Sequence, residues 1–177
     1  MKAVSNIGVA WRLAIGGLPA LLLPATAQPS LEYQVKAAYL SKLAPFIDWP
    51  DGAFATPSAP LVICVVGRDP LGAAIDRAID GQKDRDHPLT VRRLAAPDAG
   101  CHILFAADRA IADQAIEQLR DRPVVTVTDS GQRGMIGFVV VDNHVRFDID
   151  ARAAERAGLR FSSKLLSLAR NVRRGPR

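Results

Sequence analysis

Leu61-Val62-Ile63-Cys64-Val65-Val66 and Cys101-His102-Ile103-Leu104-Phe105-Ala106 are two nearly continuous apolar runs rich in branched side chains. A strand with one wet face alternates apolar and polar residues. A strand covered on both faces does not, and such strands belong to parallel sheets packed between helices. What lies between the runs supports this reading. Gly67 and Pro70 close the first run, and Leu71, Ile75, Ala78 and Ile79 then recur at helical spacing up to a stop at Gly81. Residues 82–88 read as a charged turn, and Leu89 to Leu94 as a further strand with Val91 inward and Arg92 outward. Beyond the Cys101 run, Asp108 is placed to cap a helix carrying Ile111, Ala115 and Leu119. Pro123 opens another strand, Val124 to Thr128. Strands alternating with helices imply an α/β fold in three layers, with a mostly parallel sheet and helices on both faces.

The flanks extend this frame. Leu31, Val35, Ala38, Tyr39 and Leu43 predict an amphipathic helix over residues 31–44, ended or kinked by Pro45. Phe46 to Pro50 reads as extended, and Gly52, Pro57, Ser58 and Pro60 mark residues 51–60 as a loop. On the other side, Gly131 and Gly134 bound a loop. Met135–Val141 and Val145–Ile149 read as a β-hairpin turning at Asp142-Asn143-His144. Asp150 should cap a helix ending at Gly158. Ser162 or Ser163 should cap a final helix with the stripe Leu165, Leu168, Ala169 and Val172.

The chain of 177 residues is 49% hydrophobic and 23% charged, which is globular composition. Aromatics are scarce at 6%, so the core must be built from Val, Ile, Leu and Ala. Residues 1–27 have the features of a secretory signal: Lys2 and Arg12, an apolar stretch from Leu13 to Ala25, and the small-x-small pattern Ala25-Thr26-Ala27. The stretch is short and holds Pro19 and Pro24, which suits a cleaved signal better than a retained anchor. Cleavage after Ala27 leaves residues 28–177 as one domain carrying 21 basic and 18 acidic residues. The basic excess sits in Arg170, Arg173, Arg174 and Arg177 at the end of the chain. That tail reads as solvated and frayed, or as a contact for an acidic partner or anionic surface. An exported protein rarely meets nucleic acid, so a nucleic-acid partner is not expected.

In an oxidising compartment the only two cysteines, Cys64 and Cys101, should form a disulfide; two buried free thiols are the alternative. A loop of this length constrains the unfolded chain by roughly 4 kcal/mol in chain-entropy terms.

No motif asks for catalysis, a cofactor or a metal. Gly67-Arg68-Asp69-Pro70-Leu71-Gly72 has the glycine separation of a phosphate loop, but Ala73 and Ala74 stand where its Lys and Ser/Thr belong. A ligand pocket at the carboxyl ends of the strands, near Gly67, Asp69 and Gly134, remains open on this reading. His87, His102 and His144 lie on separate elements, and Cys101 and His102, as neighbours on a strand, point to opposite faces. Ser162-Ser163-Lys164 lacks the Ser-x-x-Lys spacing. Asp148 and Asp150 are explained as strand-end charge and helix cap. Tyr39, Trp49, Arg133 and Met135 are candidates for a partner surface, with core packing as the competing explanation for the aromatics.

Several segments in order resemble the YfiR family of exported regulators. They are Lys42–Pro50, Ile63–Gly72, Cys101–Phe105, Arg133–Phe138, Val145–Ile149 and Ala157–Leu166, together spanning about residues 33–172. The resemblance implies a periplasmic α/β domain without known catalysis, often dimeric, so a homodimer is among the expected assemblies. Characterised relatives bind the periplasmic sensor domain of a membrane diguanylate cyclase and hold it inactive, which lowers cyclic-di-GMP and biofilm formation. Membrane contact would come only through that partner. Some relatives have two cysteine pairs; Cys64 and Cys101 match one, and the second is missing here. Domains of this kind also occur with other sensor proteins. A small-molecule-binding sensor module acting with another membrane signalling or transport protein is therefore the alternative.

Overall fold

The computed structural model describes residues 28–129, 131 and 133–175. The signal-like stretch 1–27 and Arg177 lie outside the described residues. The strands and helices in chain order are α1 (Leu31–Ser41), β1 (Ile47–Asp48), β2 (Leu61–Val66), α2 (Ala73–Ile79), β3 (Lys83–Asp84), β4 (His87–Leu94), β5 (Ile103–Ala106), α3 (Arg109–Gln118), β6 (Val125–Thr128), β7 (Ile136–Val141), β8 (His144–Asp150), α4 (Ala151–Arg156), β9 (Arg160–Phe161), α5 (Ser163–Leu168) and β10 (Asn171–Arg173). Eight strands form one sheet in the order β10-β8-β7-β6-β5-β2-β4-β3, and β1 pairs with β9 separately. The central run β4-β2-β5-β6-β7 is parallel, and antiparallel pairs occur at β7/β8 and β3/β4. The expected α/β architecture is therefore present, mostly parallel and with helices on both faces.

Strand alternation divides the core in two. Ile63, Val65, Ile103, Phe105, Val125 and Val127 point to one face, where they meet Ala37 and Leu40 of α1 and Ala74, Ile75 and Ile79 of α2. Cys64, Val66, Leu104 and Ala106 point to the other face, against Ala112 and Ala115 of α3 and Leu119 just beyond it. Cys64 and Cys101 are bonded there, with Cα atoms 5.8 Å apart. The disulfide ties β2 to the residues leading into β5, its neighbour in the sheet.

Strands β6 and β7 run parallel although only a short loop joins them. Ordinarily a parallel pair needs a crossover of a dozen or more residues. Here β7 begins beside the end of β6, with Val127 opposite Ile136 and Thr128 opposite Gly137. Because β7 continues past β6 rather than alongside its full length, the chain needs no full return. Gly134 makes this tight path workable, since a Cβ there would come within 2.8 Å of Thr128 Cγ2.

Four local expectations need correction. α1 stops at Ser41, before Pro45, and Ala44–Phe46 form a separate 3₁₀ turn with Pro45 in its first positions. The charged turn over 82–88 contains a pair of its own, with Lys83–Asp84 antiparallel to His87–Pro88. Asp108 occupies the N-cap position of α3 without capping it through its side chain. Its carboxylate instead accepts from the Arg68 backbone N–H and from Arg68 Nε, at 3.2 and 3.3 Å. The final helix ends at Leu168, and Asn171–Arg173 form a strand parallel to β8. The basic tail is therefore not frayed as far as Arg173. Arg170 holds Asp148 through two bonds of 2.9 and 2.6 Å, and Arg173 reaches Asp150 at 3.2 Å. Asp150 caps α4 by accepting from Ala153 N–H, and Ser162 caps α5 by accepting from Leu165 N–H, both as expected. Asp142 and Asn143 turn the β7/β8 hairpin with φ of 48° and 63°, the left-handed pair of a type I′ turn. No helix of the described residues is long and apolar enough to cross a membrane.

Candidate functional site

Three polar regions could carry function, and the sheet places each differently. The first lies at the carboxyl ends of the parallel strands. Lys36 on α1 is only 1% exposed, and its ammonium meets Asp129, just past β6, and Glu32 one turn back on α1. Tyr33 donates its hydroxyl to the other oxygen of Asp129 at 2.9 Å, and its ring faces the Lys36 ammonium at 4.7 Å. Burial by itself would pull Lys36 down, but the bonds to Asp129 and Glu32 outweigh it, and its pKa ends above the ordinary value. Burial and then the Asp129 carboxylate push Tyr33 up. This cluster fastens α1 across the strand ends. A buried pair of this kind is costly to break from one side.

Gly67 and Asp69, expected near a ligand pocket, sit beside this cluster in the turn after β2. Asp69 Oδ1 accepts from the N–H groups of Leu71 and Gly72, both at 2.9 Å, and Oδ2 accepts from Arg93 Nε at 2.7 Å. The amides that a phosphate loop would offer an anion are thus already occupied. Arg93 also forks onto Asp76, which holds the Asp76 carboxyl below the usual carboxylate range. Gly67 has φ +74°, and a Cβ there would meet Ile111 Cγ1 at 3.2 Å.

The second region is aromatic and lies at the opposite end of the strands. Phe54 stacks on His87 at 3.7 Å and on His102 at 4.4 Å between ring centroids. Two rings cannot stack that closely on one face, so Phe54 lies between the imidazoles. Trp49 meets both Phe54 and His102 edge-on. Val62 N–H donates to His102 Nδ1 at 3.1 Å, which makes Nε2 the protonated nitrogen, facing the Ala53 carbonyl at 3.1 Å. Burial pushes His102 below the ordinary histidine value; the Ala53 carbonyl opposes this and nearby His87 adds to it. The Trp49 indole N–H is buried without an acceptor among the described residues. Tyr39, by contrast, packs on Phe138 and Phe147 at 6.0 and 5.8 Å, half-buried against the main core.

The third region is a cleft of about 820 Å³ on the α3 face of the sheet. Its floor is Thr126 of β6, Met135, and Asp148 to Asp150 of β8. Its walls are Ile116, Leu119 and Arg120 at the end of α3, Arg152 and Arg156 of α4, and Asn171 to Arg173 of β10. Gly134 and Arg133, both singled out from the sequence, line its mouth. Met135 also lines it but is only 3% exposed, and its N–H donates to Thr126 Oγ1. So the expected pocket residues are not brought together: Gly134 belongs to this cleft, while Gly67 and Asp69 do not. The expected partner residues are dispersed as well, with Trp49 at one end of the sheet, Arg133 at the cleft and Tyr39 half-buried against the main core.

Sequence reading missed Lys36, Asp129, Arg152 and Arg156. A signal existed for the arginines: Ala151-Arg152-Ala153-Ala154-Glu155-Arg156-Ala157 puts small residues on one helical face and Arg152 and Arg156 on another. Lys36 next to Ala37 and one turn before Leu40 lies within the buried stripe of α1, which also hinted at a lysine turned inward. Among the described residues, no three His, Cys, Asp or Glu are grouped as a metal would need.

A family model described as YfiR/HmsC-like matches residues 33–170, from Tyr33 on α1 to Arg170 just before β10. The match takes in both cores and the Cys64–Cys101 bond. Comparison with curated proteins gave no match. The matched family is one of periplasmic regulators of diguanylate cyclase rather than enzymes. With most of its length covered by that match, the chain belongs to the YfiR/HmsC-like family.

Proposed function

We propose that the protein is an exported inhibitory binding protein. On this reading residues 1–27 are removed after Ala27, and residues 28–177 act in the periplasm as one domain. The domain binds the periplasmic sensor region of a membrane diguanylate cyclase in its inactive conformation. Binding one conformation more tightly than the other shifts the partner's population toward it. Taking a partner from mostly active to mostly inactive needs about 5.5 kcal/mol of differential affinity. The outcome is lower cyclic-di-GMP and less biofilm. Family membership across residues 33–170 is the observation that carries this reading. Arg133, exposed, and Trp49, half-buried, are the proposed direct contacts, since arginine and tryptophan anchor protein interfaces. Tyr39 and Met135 would support those surfaces from below. The Cys64–Cys101 bond keeps β2 and β5 in register beneath them and is structural rather than redox-sensing.

The test is a pull-down with the mature, oxidised chain from detergent-solubilised membranes of its host. Recovery of an inner-membrane protein with a cyclase output domain is expected, together with a rise in cellular cyclic-di-GMP when the gene is deleted. Unchanged cyclic-di-GMP on deletion would sink the proposal. Recovery of a transporter or another sensor instead would favour the alternative, a ligand-binding module. The observation favouring that second reading is the arginine-lined cleft.

A further inference from the structure

The cleft holds five arginines from four parts of the chain: Arg120, Arg133, Arg152 and Arg156, and Arg173. Among the described residues its acidic members are Asp148 and Asp150, and both are already engaged, by Arg170 and Arg173. Arg120 pairs with Glu117. Arg133, Arg152 and Arg156 have no ion-pair partner among the described residues. Arg152 and Arg156 are four apart on α4, so their like charges face each other and work against a helix of only six residues. An anion between them would reverse the sign of that interaction.

The shape narrows the class of anion. A volume of about 820 Å³ falls within the range of small-molecule sites, in a hollow that is half open to solvent. Ile116, Leu119 and Val172 give the same cleft an apolar wall. Low-dielectric walls focus the arginine field on whatever enters. Guanidinium forks match carboxylate and phosphate oxygens two at a time.

We propose that this cleft binds a small polyanion, a compact molecule carrying two or more carboxylate or phosphate groups, held by Arg152 and Arg156 with Arg133 at the mouth. The site stands apart from the identity of the membrane partner: it is tested on the purified chain alone.

The experiment is calorimetric titration of the mature, oxidised protein at low salt with two probes, inorganic pyrophosphate and citrate. At least one should bind saturably, one per chain, and the comparison separates phosphate from carboxylate preference. Arg156→Ala should weaken that binding about tenfold, and Arg152→Ala with Arg156→Ala should abolish it, while Arg109→Ala on α3 outside the cleft leaves it unchanged. The double variant should melt no lower than the wild type, because it removes a repulsion. If that variant fails to fold, tungstate soaked into wild-type crystals reads the same question. Its anomalous peak is expected within hydrogen-bond reach of Arg152 and Arg156. Absence of saturation by either probe at about 1 mM, undiminished binding by a folded double variant, or a tungstate peak elsewhere would overturn the proposal.

Discussion

On one face of the sheet, α1 and α2 cover Ile63, Val65, Ile103 and Phe105 with a broad apolar layer. That layer continues through Phe138, Phe147 and Ile149 to Leu165. On the other face α3 alone covers Cys64, Val66, Leu104 and Ala106, and the strands beyond it lie open at the arginine cleft. The first face is held by apolar area and by one buried ion pair, Lys36 with Asp129. The second has too little apolar area to do the same and carries the covalent bond instead. Burying apolar surface stabilises by about 25 cal/mol per Å². A face that keeps a cleft open gives up part of that, and the disulfide compensates through the unfolded chain. The cleft and the staple are two aspects of one economy of packing.

Four measurements break or sharpen this contrast. The largest effect is expected from Lys36→Ala, which removes the buried ammonium that joins Asp129 to Glu32. Chemical denaturation should show a loss of about 3–5 kcal/mol. A loss under about 1 kcal/mol would mean that the first face depends on apolar area alone. Next is Cys64→Ala with Cys101→Ala, expected to cost up to about 4 kcal/mol. Hydrogen exchange should rise in α3 and β5 before it rises in α1. Uniform loss of protection across both faces would show that they do not differ in how they are held. Combining these substitutions with Lys36→Ala should give nearly additive losses if the faces are independent.

The third measurement uses pH. Burial holds His102 neutral, with a folded pKa below its unfolded value near about 6.5. Its contribution is therefore present above that value and is lost as pH falls through the folded pKa. Charging the ring also ends its acceptance of the Val62 N–H. The melting temperature should fall on acidification from neutral pH, and His102→Gln should flatten that part of the curve. An equally steep curve in the variant would assign the effect elsewhere. The smallest effect is expected for Arg170→Ala. Its pair with Asp148 is solvent-exposed and screened, so denaturation should show the smallest loss of the series. Because Arg170 holds the Asp148 carboxyl low, that contribution is present above the ordinary carboxylate pKa and disappears as pH drops below it.

How much of this was legible follows from distance along the chain. The apolar runs at Leu61 and Cys101 declare themselves locally, and so do the caps at Asp150 and Ser162, because burial on both faces and capping each leave a short signature. The disulfide was legible from the pair of cysteines only in combination with the export signal at residues 1–27. Lys36 and Asp129 lie 93 residues apart, and each in isolation reads as a surface charge. The stack of His87, Phe54 and His102 joins a loop to the start of β4 and the residue before β5, and no spacing in the sequence announces it. Asp108 was misread because two demands compete for one carboxylate, and the Arg68 contacts across the strand ends won over the local cap. Asn171-Val172-Arg173 is too short and too polar to show as a strand, and only the register with β8 makes it one.

That last strand has a consequence for how these molecules behave when crowded. An uncovered sheet edge is a template on which a second chain can add itself. Beside Asp148–Asp150 the outer strand spans three residues, and arginines flank it. An incoming strand would find few backbone bonds to make and a positive charge to approach. That stretch of the margin is thus a poor seed for fibril growth, whereas beyond Pro88 the outer side of β4 has no strand partner among the described residues and presents Arg92 and Arg93 instead.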